Sequence, residues 1–179
     1  MGVLKNKLPM VADFVGFQIL WWACIYGGAN HLLYPAIGAF LLYVAAHLFF
    51  ISKVPPRWQG LVVLAIAGFV VDTLLTQAGI LVYARSGAEP SLLPPVWIII
   101  LWVGLGFSAQ GSLSWLMGRP VIAFALFGLA GALSYRAGIA FEAAAMPIDP
   151  AIGYPLIALC FGAVGMALSS GKIKMAANA

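Results

Sequence analysis

Apolar positions fill six long blocks along the 179 residues, about 10–28, 33–52, 60–83, 96–117, 120–141 and 148–169, and polar residues gather between them. About 20 mostly apolar residues suffice to carry a helix across a hydrocarbon core of roughly 30 Å. The pattern therefore predicts an all-α integral membrane protein, a compact bundle of six transmembrane helices. The longest linker, about 84–95, is too short to fold alone. One polytopic membrane domain accounts for residues 1–179, leaving no soluble domain to hold a conventional active site.

Helix breakers mark the block ends. Pro35 enters the second block, and Pro55-Pro56 closes the loop after it. Pro94-Pro95 precedes Val96 and Trp97, which suits a helix start with an interfacial aromatic anchor. "MGRP" (117–120) reads as a tight turn, while Pro147, Pro150 and Pro155 predict an irregular or partly re-entrant entry to the sixth block. Small residues recur at helix-packing spacing: Gly104, Ser108 and Ser112, then Gly128 and Ala132, then Gly162 and Gly165. In lipid such faces let helices approach closely, where van der Waals contact drives association.

Composition agrees with this picture, and charge orients it. The chain is 64% hydrophobic and 8% charged, with a mean hydropathy of +1.05. Lys5, Lys7, Lys53, Arg57, Arg119, Lys172 and Lys174 all fall on one side of a six-span alternation, Arg85 falls opposite, and Arg136 lies within a block. Basic residues mark the cytoplasmic side, so both termini are expected there. The net charge of +4 is accounted for by this orientation and requires no nucleic acid. Asp13 and Gln18 inside the first block argue against a cleaved signal peptide. Cys24 and Cys160 lie within blocks without CxxC spacing, so they read as packing residues and not as a metal, redox or disulfide pair.

The candidate chemistry lies in the few polar residues inside the blocks. Asp72, in "GFVVDTLLTQAG" (68–79), is the most costly of them, since a charge at bilayer centre costs about 2.5–3.5 kcal/mol on insertion scales. Gly68, Asp72, Thr76 and Gly79 share a helix face, with Thr73 and Gln77 beside it. Arg136 is the candidate ionic partner, about one helical turn further out. Gln18, His47 and Gln110 lie towards the inner half, Tyr43 is one turn from His47, and Trp21 and Trp22 follow Gln18. Together they form a candidate pocket, or else each makes a single interhelical hydrogen bond. Asp13 reads as a cap in the first turn of the first helix. No HExxH, GxSxG or Gly-rich phosphate loop is present, and His31 and His47 fall near opposite membrane faces. Neither a metal nor any other cofactor is indicated, and no spacing selects an Asp72–His47 acid–base pair.

"FQILWWACIYGGA" (17–29), "GFVVDTLLTQAGIL" (68–81), "PPVWIIILW" (94–102) with "SLSWLMGRP" (112–120), and "GALSYRAG" (131–138) occur in this order. Over about residues 14–140 the chain resembles the bacterial inner-membrane family known only as domain of unknown function 2878. The resemblance implies a small multi-pass protein of the bacterial cytoplasmic membrane and supplies no activity or catalytic residue. Ser134 and Tyr135, with Asp72, fall within the matched motifs. The expected ligand-binding set is thus Asp72, Arg136, Thr76, Gln77, Gln18, His47, Gln110, Tyr135 and Ser134. The reading that follows is a non-enzymatic protein that binds or translocates a small molecule or lipid. A membrane-embedded enzyme of lipid or fatty-acyl modification and a structural subunit of a larger membrane complex are the alternatives. The candidate partners are the bilayer, a small-molecule or lipid ligand, and a second membrane protein or a second copy of the chain.

Overall fold

The computed structural model describes residues 2–52, 55–84 and 93–171, with side chains from Leu8 onward. The helix α1, Gly2–Ala29, is followed by α2, Tyr34–Ala46, which runs directly into a π-helical turn, His47–Ile51. Next come α3, Trp58–Gln77, and a two-residue strand β1, Val82–Tyr83. After α4, Val96–Gln110, a short 3₁₀ turn at Ser114–Leu116 leads to α5, Pro120–Ala140. A second two-residue strand β2, Ala144–Ala145, precedes α6, Pro150–Ser169.

The helix starts follow the breakers. Proline occupies the first turn of α2, α5 and α6, and Pro95 caps α4. The irregular stretch expected before α6 ends at Asp149, whose carboxylate accepts from the Ala151 N–H at 2.9 Å and caps the helix. The third block ends earlier than expected. Its helix ends at Gln77, not near 83, because Gly79 turns the chain at φ +69°. Ile80 and Leu81 then both bond back to the Leu75 carbonyl, and the chain returns inward as β1. This strand pairs antiparallel with β2, Val82 opposite Ala145 and Tyr83 opposite Ala144.

Five helices are long and apolar enough to cross a membrane: Leu8–Ala29 within α1, Tyr34–Ile51, α3, α5 and α6. Their apolar side chains point outward as well as inward. Only 17% of the Tyr34–Ile51 window and 39% of the α3 window is buried, and Leu42, Phe49 and Phe50 are among the most exposed side chains. Such a surface suits hydrocarbon as the solvent, and the chain is a multi-pass membrane protein by this criterion. The fourth helix, α4, is shorter than expected, ending at Gln110 instead of near 117. At 1.5 Å per residue it covers roughly 22 Å. It compensates by position: α4 sits centrally among α1, α2 and α3, with eight of its side chains or glycines buried. Irregular backbone after it, at 111–117, is tolerated where protein and not lipid surrounds it.

The bundle has two parts. Helices α1–α4 form one, and α5 and α6 form a long, closely packed hairpin, with Gly128 facing the Ala158 carbonyl and Gly165 facing Phe127. Two seams bonded through the backbone join the parts at their ends. At one end, called the near end because α1 begins there, the Gly118 and Arg119 N–H groups bond to the Ser169 carbonyl and hydroxyl at 2.9 Å each. At the far end the β1–β2 ladder joins them. Between the seams the parts enclose a cavity.

Candidate functional site

Two buried carboxylates organise the polar interior. Asp72, fully buried, lies five residues before the end of α3 and not near the helix middle. One turn earlier, Gly68 leaves room for the Trp102 indole of α4, which lies where any Cβ on residue 68 would project. From that seat Trp102 Nε1 donates to Asp72 Oδ2 at 2.6 Å. The other oxygen, Oδ1, accepts from the Tyr83 hydroxyl of β1 at 2.7 Å and from the Tyr135 hydroxyl of α5. The two phenol oxygens are 2.8 Å apart. Burial first, and then the Asp72 charge, push the Tyr83 phenol well above the usual phenol range, so it stays protonated and donates.

This geometry revises the expected set around Asp72. Arg136 is not its partner: the arginine follows Tyr135 on α5 and points outward, exposed. Among the described residues the carboxylate makes no ion pair. Thr76 turns its hydroxyl back onto the Asp72 carbonyl at 2.8 Å, and Thr73 does the same to Phe69 at 2.6 Å. Gln77 is exposed on the opposite side of the helix end. Only Tyr135 of the expected residues reaches the carboxylate, and Trp102 and Tyr83 complete the shell unanticipated.

Asp13 forms the second centre. The helix α1 begins at Gly2, so Asp13 lies several turns inside it and is fully buried, not a cap in the first turn. Its Oδ1 accepts from the Tyr43 hydroxyl at 2.8 Å and pairs with His47 Nδ1 at 3.0 Å. Oδ2 accepts from the Ser112 backbone N–H at 2.7 Å. Tyr43 also bonds Ser108 at 2.9 Å. Two backbone irregularities create this convergence. The π-helical turn carries His47, and α4 breaks at Gly111, whose missing side chain admits the carboxylate. A Cβ there would lie 2.6 Å from Asp13 Cγ. His47 is thus committed to Asp13, not to Asp72. Gln110 ties two helix ends, accepting from the Arg57 N–H at 2.8 Å.

The cavity between the two parts has a volume of about 520 Å³, within the range of small-molecule sites. It is walled by α1, α4 and α5, with Phe161 of α6 closing it beneath the Asp72 shell. Gln18, Trp21, Ser134 and Tyr135 line it, and the Trp21 indole N–H donates to the Ser134 hydroxyl at 2.7 Å. Leu126 and Leu133 line it too, yet are 40% and 53% exposed on the outer face of α5. The mouth therefore opens sideways, over two turns of α5. Among the described residues no three His, Cys, Asp or Glu side chains converge as metal ligands.

Neither the curated proteins nor the solved structures yield a match to this chain. One family model matches residues 10–168, nearly the whole chain. With the buried Asp72 shell, the Trp21–Ser134 pair and the broken α4 all inside that match, the chain belongs to the family described as protein of unknown function (DUF2878).

Proposed function

We infer that this is a six-span protein of a bacterial inner membrane that binds a small molecule or lipid, taken up sideways from the bilayer. The observation that carries the reading is the cavity of about 520 Å³ with its lateral mouth over α5. Its walls are mainly aliphatic and aromatic, which favours an apolar occupant. The sixth span is α4, short but shielded by its neighbours. Arg57 and Arg119 precede α3 and α5 at the near end, which supports a cytoplasmic placement of that end and of both termini.

Binding is favoured over acid–base catalysis. Asp72 and Asp13 each accept from three donors, and neither belongs to the cavity wall. A catalytic carboxylate needs an oxygen within hydrogen-bond reach of substrate. The test is native mass spectrometry of the protein extracted in lipid nanodiscs, followed by lipid extraction. A defined molecule is expected to co-purify and to be lost in Ala137→Trp, which fills the cavity. Full retention of that molecule by a folded Ala137→Trp protein would sink the reading. A bound protein of another mass, or a second copy seated over the mouth, would instead identify a structural subunit.

A further inference from the structure

The wall of the cavity carries no formal charge. None of its lining side chains is Asp, Glu, Lys, Arg or His. Its polar groups divide into committed and available ones. Trp102 and Tyr135 present ring faces, because their donors are turned to Asp72. Trp21 presents its ring because its N–H is given to Ser134. Ser134 accepts that bond through oxygen and keeps its own O–H, for which no acceptor is in place among the described residues. Gln18 is half-buried, lines the same cavity, and has no side-chain partner among the described residues. It precedes Trp21 by three residues on one face of α1, a separation of about 5–6 Å between Cβ atoms. Two unspent donors, the Gln18 amide and the Ser134 hydroxyl, thus flank one Trp21 ring in an otherwise apolar chamber.

We propose that the cavity selects a long-chain molecule with an uncharged oxygen head, a carbonyl or hydroxyl held between Gln18 and Ser134, and rejects charged head groups. This rests on the binding reading above. A carbonyl or hydroxyl oxygen has two lone pairs for the two donors, and the Gln18 carbonyl accepts a hydroxyl proton in return. A carboxylate, phosphate or ammonium would enter a site with no counter-charge, where desolvation goes uncompensated. An alkane would leave the two donors unpaired, and sites built to hydrogen-bond discriminate against partners lacking the group.

The experiment uses the full chain in nanodiscs and four brominated probes of one chain length: an alcohol, a methyl ester, a carboxylate at pH 8 and a trimethylammonium. A brominated alkane is the fifth. Binding is read by quenching of the wall tryptophans. The alcohol and ester are expected to bind at least about tenfold more tightly than the two charged probes and measurably more tightly than the alkane. Gln18→Leu with Ser134→Ala should lower alcohol and ester affinity to that of the alkane, and unchanged alkane binding shows that the variant cavity is intact. Equal binding of a charged probe, equal binding of the alkane, or a preference that survives both substitutions overturns the proposal while leaving a binding cavity in place. If none of the five probes binds, the binding reading itself falls.

Discussion

Gly68 and Asp72 make one seat for Trp102, and the seat sets a measurable coupling. In Gly68→Ala the new Cβ occupies the position of the indole ring. Overpacking of this kind costs about 1–3 kcal/mol. Moving the indole also loosens its 2.6 Å bond to Asp72, and interhelical hydrogen bonds in membranes average about 0.6 kcal/mol. After alanine's intrinsic helix advantage of up to about 1 kcal/mol is set against these costs, the substitution is expected to destabilise the protein by roughly 1–3 kcal/mol. In a Trp102→Ala background the clash and the bond are both gone. There Gly68→Ala should be neutral or stabilising, giving a coupling energy of about 2 kcal/mol or more. Equilibrium unfolding in mixed micelles of increasing dodecyl sulfate content, followed by far-ultraviolet circular dichroism, measures all four proteins. An equal cost of Gly68→Ala in the two backgrounds would refute the seat.

Three further outcomes separate this structure from simpler ones. Asp13→Ala strands the His47 ring N–H and the Ser112 N–H, while the Tyr43 hydroxyl keeps Ser108. At about 1–3 kcal/mol per buried unpaired donor, it should lose at least about 2 kcal/mol in the same unfolding assay. A surface-like loss would return Asp13 to a capping role. Arg136→Ala should change stability by no more than about 0.5 kcal/mol, as exposed substitutions do, whereas a loss of several kcal/mol would point to an ionic partner for Asp72. Single cysteines at Gly118 and Pro94, in a protein with Cys24 and Cys160 replaced by alanine, should react with an impermeant maleimide from opposite sides of the membrane. Labelling from one side would mean that α4 does not cross.

The number and order of helices were legible because apolar length and proline placement are local properties. The polar centres were only half legible. Asp72 stood out as a carboxylate in an apolar block and Tyr135 through the family motif that holds it, but Trp102 sits in "VWIIILW" and reads there as one more apolar side chain. Its indole N–H acquires meaning only when α4 packs on Gly68. Tyr83 was hidden by helix length: a third helix continued to 83 places it far from Asp72, whereas the turn at Gly79 brings it back. Asp13 was misjudged for a related reason, since the apolar block begins near 10 while the helix begins at Gly2. The pull of Arg136 came from its charge and its similar depth. Which face of α5 looks inward depends on contacts with α4 and α6, and those put Tyr135 inside and its neighbour outside.

The far-end ladder has a consequence for the birth of the protein. Asp72 enters the membrane with α3, but its Tyr135 donor lies 63 residues later in the chain. Tyr83 is held in place by β2, which follows α5. At translation rates of about 5–20 residues per second, the carboxylate waits roughly 3–13 s for its shell. For the later part of that interval Trp102, made 30 residues after the acid, is the one helix-borne donor in reach. Truncation before Tyr135 would therefore leave the carboxylate without its α5 donor, however complete the apolar spans before it.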